Sequence, residues 1–156
     1  MLINKFIINA EASNSSTKVV NRPSFAEMKE VIRETYDYAY LPYLEIYKEI
    51  NIDEKGIKKA ILQANYGIAE TGTIIFISFA ENRRRASMLA ERLTFVLEKK
   101  NILDSLDDAS IILENELAGK SNYISFITGP SRTADIENQL IIGVHGPLTQ
   151  EILIID

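Results

Sequence analysis

Ile124-Ser125-Phe126-Ile127-Thr128-Gly129-Pro130-Ser131-Arg132-Thr133-Ala134-Asp135-Ile136 is the stretch from which the architecture is read. A short apolar run breaks at Gly-Pro and resumes in residues that suit a helix, with Ser131 or Thr133 placed to cap it. Strand, tight turn and helix in that order form the repeating unit of an α/β layer. Further out, Ile74-Ile75-Phe76-Ile77, Leu93–Leu97 and Ile152–Ile155 are apolar runs of the same kind rather than polar/apolar alternations. Such runs suit strands covered on both faces, which predicts an α/β fold with a parallel or mixed sheet and helices on both faces. Asp104–Leu117 carries Leu106, Ala109, Ile112, Leu113 and Leu117 inward at helical spacing, and a shorter helix is expected from about Thr133.

The first sixty residues read as a strand followed by helices. Met1–Asn9 is predicted as a strand and Glu11–Lys18 as a polar loop. Ser24 with Glu27 three residues on forms a capping box. The helix it opens has Phe25, Met28, Val31, Ile32, Tyr36 and Ala39 on one stripe. Pro42 interrupts it, so Pro42–Ile50 is expected as a second helix or a kinked continuation. Asp53 can cap a third helix with Ile57, Ala60, Ile61 and Ala64. Tyr36, Tyr40, Tyr43 and Tyr47 recur every three or four residues. They suit a half-buried helix face or a partner-contact surface better than a base-stacking platform.

Composition narrows the function. A chain of 156 residues, 46% hydrophobic and 25% charged, can bury the core of one domain, read as residues 1–156. Net charge −5 argues against a general electrostatic hold on nucleic acid or an anionic membrane. With no cysteine, the chain supplies no thiolate to zinc, to an iron–sulfur cluster or to catalysis. Any redox centre it works with sits on a partner. His145 is the single histidine, so a multi-histidine metal site is excluded and no metal site is assigned. No run is long and apolar enough to span a bilayer, and the start lacks the pattern of a secretion signal; a cytoplasmic location is expected. Asn14-Ser15-Ser16 is read as a polar loop, not a glycosylation site.

Three stretches can carry chemistry. A strand running into Gly129-Pro130-Ser131-Arg132-Thr133 and then a helix would offer free amides, two hydroxyls and a guanidinium to an anion. The same residues also suit plain helix capping, and Asp135 and Glu137 would repel that anion. Glu70, in Tyr66-Gly67-Ile68-Ala69-Glu70-Thr71-Gly72-Thr73, can act as acid, base or nucleophile, or can simply pair with Arg132 or an arginine of the Arg83–Arg85 run. His145, in Gly143-Val144-His145-Gly146-Pro147, can donate to an anion, shuttle a proton or bond to the turn's own backbone. Asn82-Arg83-Arg84-Arg85 follows a strand and is placed at the edge where open sheets hold ligands, to gather a phosphate or carboxylate or to lie solvated.

Gly67–Thr73, Phe126–Ile136 and Gly143–Pro147, in that chain order, resemble the lactate-utilisation (LUD) domain family over about residues 61–156. The resemblance implies a fold like that of glucosamine-phosphate deaminase, ribose-phosphate isomerase and CoA-transferases (the NagB/RpiA/CoA-transferase-like fold). It also implies a role like the small cluster-free subunit of bacterial systems that oxidise L-lactate to pyruvate, with iron–sulfur clusters on partner subunits and no cofactor held by this chain alone. The expected ligand is a small anion: a carboxylate, a phosphate or a CoA-like group. Arg132, Ser131 and Thr133 would bind it beside Gly129 and Asp135, with Thr71, Gly72 and Thr73 from the other turn. Glu70 would orient or deprotonate it and His145 would assist. Glu70-Thr71-Gly72 also resembles the Glu-Asn-Gly turn of CoA-transferases, which implies, as an alternative, a free-standing acyl-transfer or isomerase-like enzyme. A non-catalytic interaction module on the tyrosine-rich half is the third reading. A homo-oligomer is left open.

Overall fold

The computed structural model describes residues 1–118, 123–130, 132–136, 139–142 and 146–156; for residues 116–117, 132–136 and 139–142 it describes the backbone alone. In chain order the elements are α1 (Leu2–Ala12), β1 (Ser16–Val20), α2 (Arg22–Ala26), α3 (Lys29–Thr35), β2 (Tyr38–Leu41), a 3-10 turn (Pro42–Leu44), β3 (Ile46–Lys48), β4 (Ile57–Gln63), β5 (Tyr66–Ile68), β6 (Thr73–Ser78), α4 (Glu81–Leu89), β7 (Ala90–Glu98), β8 (Ile102–Leu103), α5 (Leu106–Leu117), β9 (Tyr123–Ile127), β10 (Arg132–Ile136), β11 (Gln139–Ile142) and β12 (Thr149–Ile155).

A six-stranded sheet in the order β1-β12-β7-β4-β2-β3 is parallel except for the β2–β3 hairpin at one edge. Its central strands bury both faces. Leu93, Phe95 and Leu97 point to one core with Phe6 and Ala10 of α1 and Ala86 of α4. Val96, Ile61 and Leu153 point to the other, with Phe25 of α2 and Ile32 of α3. A second sheet, β8-β5-β6-β9, lies on the α1/α4 side, contributing Ile74 and Phe76 to that core. Its opposite face meets Ala109 and Leu113 of α5. The mixed α/β layering read from the apolar runs is therefore present, with a small mixed sheet inserted on one face.

The strands expected near residues 74, 93, 124 and 152 are β6, β7, β9 and β12. The helix expected over Asp104–Leu117 is α5, capped by Ser105 accepting from the Asp108 amide, although Leu106 is half-exposed rather than inward. The N-terminal third departs from expectation. Met1–Asn9 is helical: Ile3, Phe6, Ile7 and Ala10 share one face, and that spacing outweighed the apolar density that suggested a strand. The supposed Ser24–Glu27 capping box gives way to Asn21, whose side chain accepts from the Ser24 amide. The long helix ends by Thr35, and Pro42–Ile50 is a turn and a strand. Tyr40 and Tyr47 are thus cross-strand neighbours with ring centroids 5.7 Å apart, not members of a helical stripe. Ile57–Gln63 is strand β4 despite the helical spacing of its apolar residues. Ala60, Ile61 and Leu62 are all fully buried between β2 and β7, and burial on both faces overrides the period. Asp53 instead closes a turn, accepting from the Lys55 amide.

Tyr38 starts β2 fully buried and donates to Glu49 at 3.1 Å. Burial and that carboxylate push its phenol well above the ordinary 10.0, against the opposing pull of Arg83. A folded-state pKa raised in this way stabilises the fold below pH 10.0, and the contribution is lost as pH climbs beyond it, where tyrosines of the unfolded chain ionise and Tyr38 does not. Alkaline denaturation should accordingly be shallower above that pH in Tyr38→Phe than in the wild type. Equal slopes would exclude Tyr38 as the cause.

Candidate functional site

Two of the three chemistry-bearing stretches meet. β6 pairs antiparallel with β9, setting Ile74 opposite Ile127. The turn before β6 and the turn after β9 therefore lie side by side. Their hydroxyls form one chain, Thr71 to Thr73 at 2.7 Å and Thr73 to Thr128 at 2.6 Å. Both turns clasp the C-terminal end of α1. Gly72 and Gly129 adopt φ of +66° and +72°, and a Cβ on either would collide with the backbone of Ala10 or Ser13. Asn9 Nδ2 adds a 2.8 Å bond to the Ala69 carbonyl.

Beside this junction opens a cleft of about 410 Å³, walled by Ser13, Ser87, Met88, Phe126 and the Thr128-Gly129-Pro130 turn, and closed by Gly146-Pro147 of the third stretch. It lies where the chain enters β1, β7 and β12, at the N-terminal ends of the parallel strands. The expectation of a carboxyl-end site fails here because β9 belongs to the small mixed sheet, to which the parallel-sheet rule does not apply. A second correction follows. Arg132–Ile136 is strand β10, paired with β11 through Thr133 and Ile141, not the start of a helix. Thr133 pairs with Ile141 and Ile136 with Gln139, and β-branched residues at these positions favour strand over helix. The helix amides and helix dipole invoked for anion binding are thus not part of the site. Ser131 and Gly143-Val144-His145 lie outside the described residues, as do the side chains of Arg132, Thr133 and Asp135.

Glu70 faces away from this cleft. Its amide donates to the Asp104 carbonyl, and its Oε1 accepts from the Leu106 amide at 3.5 Å, at the start of α5. A carboxylate there complements the positive helix end. Lys5 of α1 bonds Asp104 at 2.7 Å, and this bond, with the fields of Asp104 and Glu70, raises the pKa of its ammonium. The arginines of the 83–85 run sit on α4 rather than in a loop, and each is engaged. Arg83 pairs with Glu49 and stacks on Tyr40. Arg84 stacks on Tyr123 and donates to the Phe79 carbonyl. Arg85 binds the Ile52 carbonyl and Glu81. They brace the fold and do not gather around the cleft.

Asn9 and Ser13 carry no local signal of the site, because Met1–Asn9 reads as a strand and nothing near it in sequence ties it to turns sixty and more residues away; Thr128, within the Ile124–Ile136 stretch, gains its place only through the Thr73 hydroxyl. The Ile3–Phe6–Ile7–Ala10 spacing was the usable signal for α1. Removing the Thr73 hydroxyl breaks the chain at a buried centre, so Thr73→Val should lower stability by about 1 kcal/mol while Thr73→Ser retains it. Urea titrations that superimpose for Thr73→Val and wild type would show that the chain has no energetic weight.

A layered α/β domain whose two turns clasp one helix end beside a cleft defines the class of protein. The LUD domain family profile matches residues 3–155, and the chain belongs to that family. It is 38% identical over 105 residues to Lactate utilization protein C of Bacillus subtilis, a match covering 61% of this chain and 43% of that protein. It is also 38% identical over 102 residues to the protein YkgG of Escherichia coli, covering 64% of this chain and 44% of the relative. The matched segment spans less than half the length of these curated relatives. The crystal structure of a DUF162 family protein from Deinococcus radiodurans superposes with a TM-score of 0.67 over 99% of this chain and 96% of that one. At 16% identity that likeness speaks for the fold alone. No helix among the described residues is long and apolar enough to cross a membrane.

Proposed function

We propose that this chain is an accessory LUD-type subunit that binds a small anion in organic-acid oxidation, L-lactate being the leading candidate, and works with partner proteins that carry iron–sulfur clusters. The observation that carries the reading is the meeting of two family stretches at one junction, Ile74 against Ile127 and Thr73 against Thr128, with Gly146-Pro147 of the third closing the adjoining cleft. Family membership and relatives named for lactate utilisation support the metabolic setting. The lack of cysteine is in keeping with cluster ligands supplied by partners. Arg132, Ser131, Thr133 and His145 are assigned to the anion. Glu70, turned toward α5, is assigned to positioning its turn, so the geometry offers no particular support to an enzyme working through it.

Isothermal titration with lactate, pyruvate, CoA and sugar phosphates tests this directly. Arg132→Ala should weaken whichever ligand binds by at least about tenfold, since a charge-assisted contact is worth about 1.5–3 kcal/mol. Unchanged affinity in that variant would remove the assigned role.

A further inference from the structure

A second, larger cavity lies at the opposite end of the parallel strands of the six-stranded sheet. Strands β1, β7 and β12 end there at Val20, Glu98 and Ile155, beside the starts of α1 and α2. The space measures about 600 Å³, well inside the roughly 300–1,000 Å³ range of small-molecule sites. One wall is apolar, from Leu2, Ile3 and Ile102; the other carries Arg22, Glu98 and Lys100. This is the carboxyl end of a parallel sheet, where open α/β folds hold ligands.

Its polar wall is built rather than incidental. The Glu98 side chain, 4% exposed at the end of the central strand, accepts from Arg22 Nη2 at 3.0 Å and faces Lys100 Nζ at 3.5 Å. The Arg22 guanidinium lies 4.2 Å from the centre of the Tyr43 ring, with Lys100 on the same ring at 5.5 Å. Arg22 Nη1 is shielded from solvent and has no acceptor among the described residues. A guanidinium N–H kept from water without a partner is unfavourable, and a small turn about the Glu98 bond would offer it to an incoming oxygen. Asp156 on the rim is held by Lys99 at 3.6 Å. Three cationic side chains thus face two carboxylates, both already engaged, leaving one positive charge.

We propose that this cavity binds an amphiphilic organic anion: a carboxylate or phosphate head on Arg22 and Lys100, and an apolar tail along Leu2, Ile3 and Ile102. Lactate and pyruvate have no apolar body to cover that wall, so the site is separate in chemistry from the motif cleft. It is also separate in space, by the nine residues of β7, about 26 Å. The inference does not rest on the proposed function.

Titration of the full chain with octyl phosphate and octanoate, using inorganic phosphate and octanol as controls, provides the test. At least one amphiphile should bind tenfold or more tighter than either control. Arg22→Gln should weaken it at least tenfold and Leu2→Asp severalfold, whereas Arg132→Ala should leave it unchanged. Failure of both amphiphiles to bind overturns the proposal. So does affinity that survives both Arg22→Gln and Lys100→Gln, or affinity lost in Arg132→Ala, which would move the ligand to the motif cleft. Should circular dichroism show Arg22→Gln unfolded, the exposed positions Lys100→Gln and Leu2→Asp decide.

Discussion

Gly72→Ala is expected to remove about 3–5 kcal/mol of unfolding free energy. Gly72 has φ +66°, a conformation costly for any residue with a Cβ. An added methyl would stand 2.2 Å from the Ala10 amide nitrogen and 2.5 Å from its Cα. These are backbone atoms within α1, so no rotamer change relieves the contact. Either the turn opens or the helix end moves, and both disturb the hydroxyl chain through Thr73. Gly129→Ala should behave alike, since its Cβ would meet the Ser13 carbonyl oxygen at 2.0 Å with φ +72°. For a domain whose whole stability is about 5–15 kcal/mol, such a loss shifts the urea midpoint far down. A midpoint within about 0.3 M of wild type for both variants, on a slope near 2 kcal/mol/M, would mean the turns do not clasp α1 this tightly.

The second large effect concerns the core between the sheets. Phe95 is fully buried at the middle of β7, its ring 5.8 Å from that of Phe76 in a tilted pair. Phe95→Ala deletes an aromatic side chain joining the six-stranded sheet to the small one and leaves a cavity, for an expected loss of about 3–5 kcal/mol. Phe95→Leu keeps most of the volume and should cost about 1.5 kcal/mol or less. Equal losses for leucine and alanine would show that ring contact, not filled volume, holds the two layers together.

Much of the fold is legible where strands are buried on both faces. Ile74–Ile77, Leu93–Leu97 and Ile152–Ile155 need no partner information, because a continuous apolar run of that length has few other stable homes; Ile124–Ile127 is also a strand, β9, but with Phe126 half-exposed. Ile57–Gln63 shows the limit. Its spacing fits a helix and its neighbours β2 and β7 make it a strand, a choice local sequence cannot register. The tyrosines at 40 and 47 tell the same story: every-third-or-fourth spacing also arises when a hairpin folds two tyrosines opposite one another. The helix expected from about Thr133 is instead strand β10, paired with Gln139–Ile142.

The site divides along the same line. Sequence alone marked Glu70-Thr71-Gly72-Thr73 and Gly129-Pro130 as turns, through their glycines and proline, which is a local property; the positive φ of Gly72 and Gly129 belongs to the structure. Sequence also determined, through composition, that no thiolate chemistry resides in this chain. Only the tertiary structure decided that those two turns meet on the end of α1, that Glu70 turns away toward α5, and that Arg22 and Glu98, seventy-six residues apart, share a cavity. Strand pairing and burial set those meetings, and both are sums over contacts distant in the chain that no single stretch encodes.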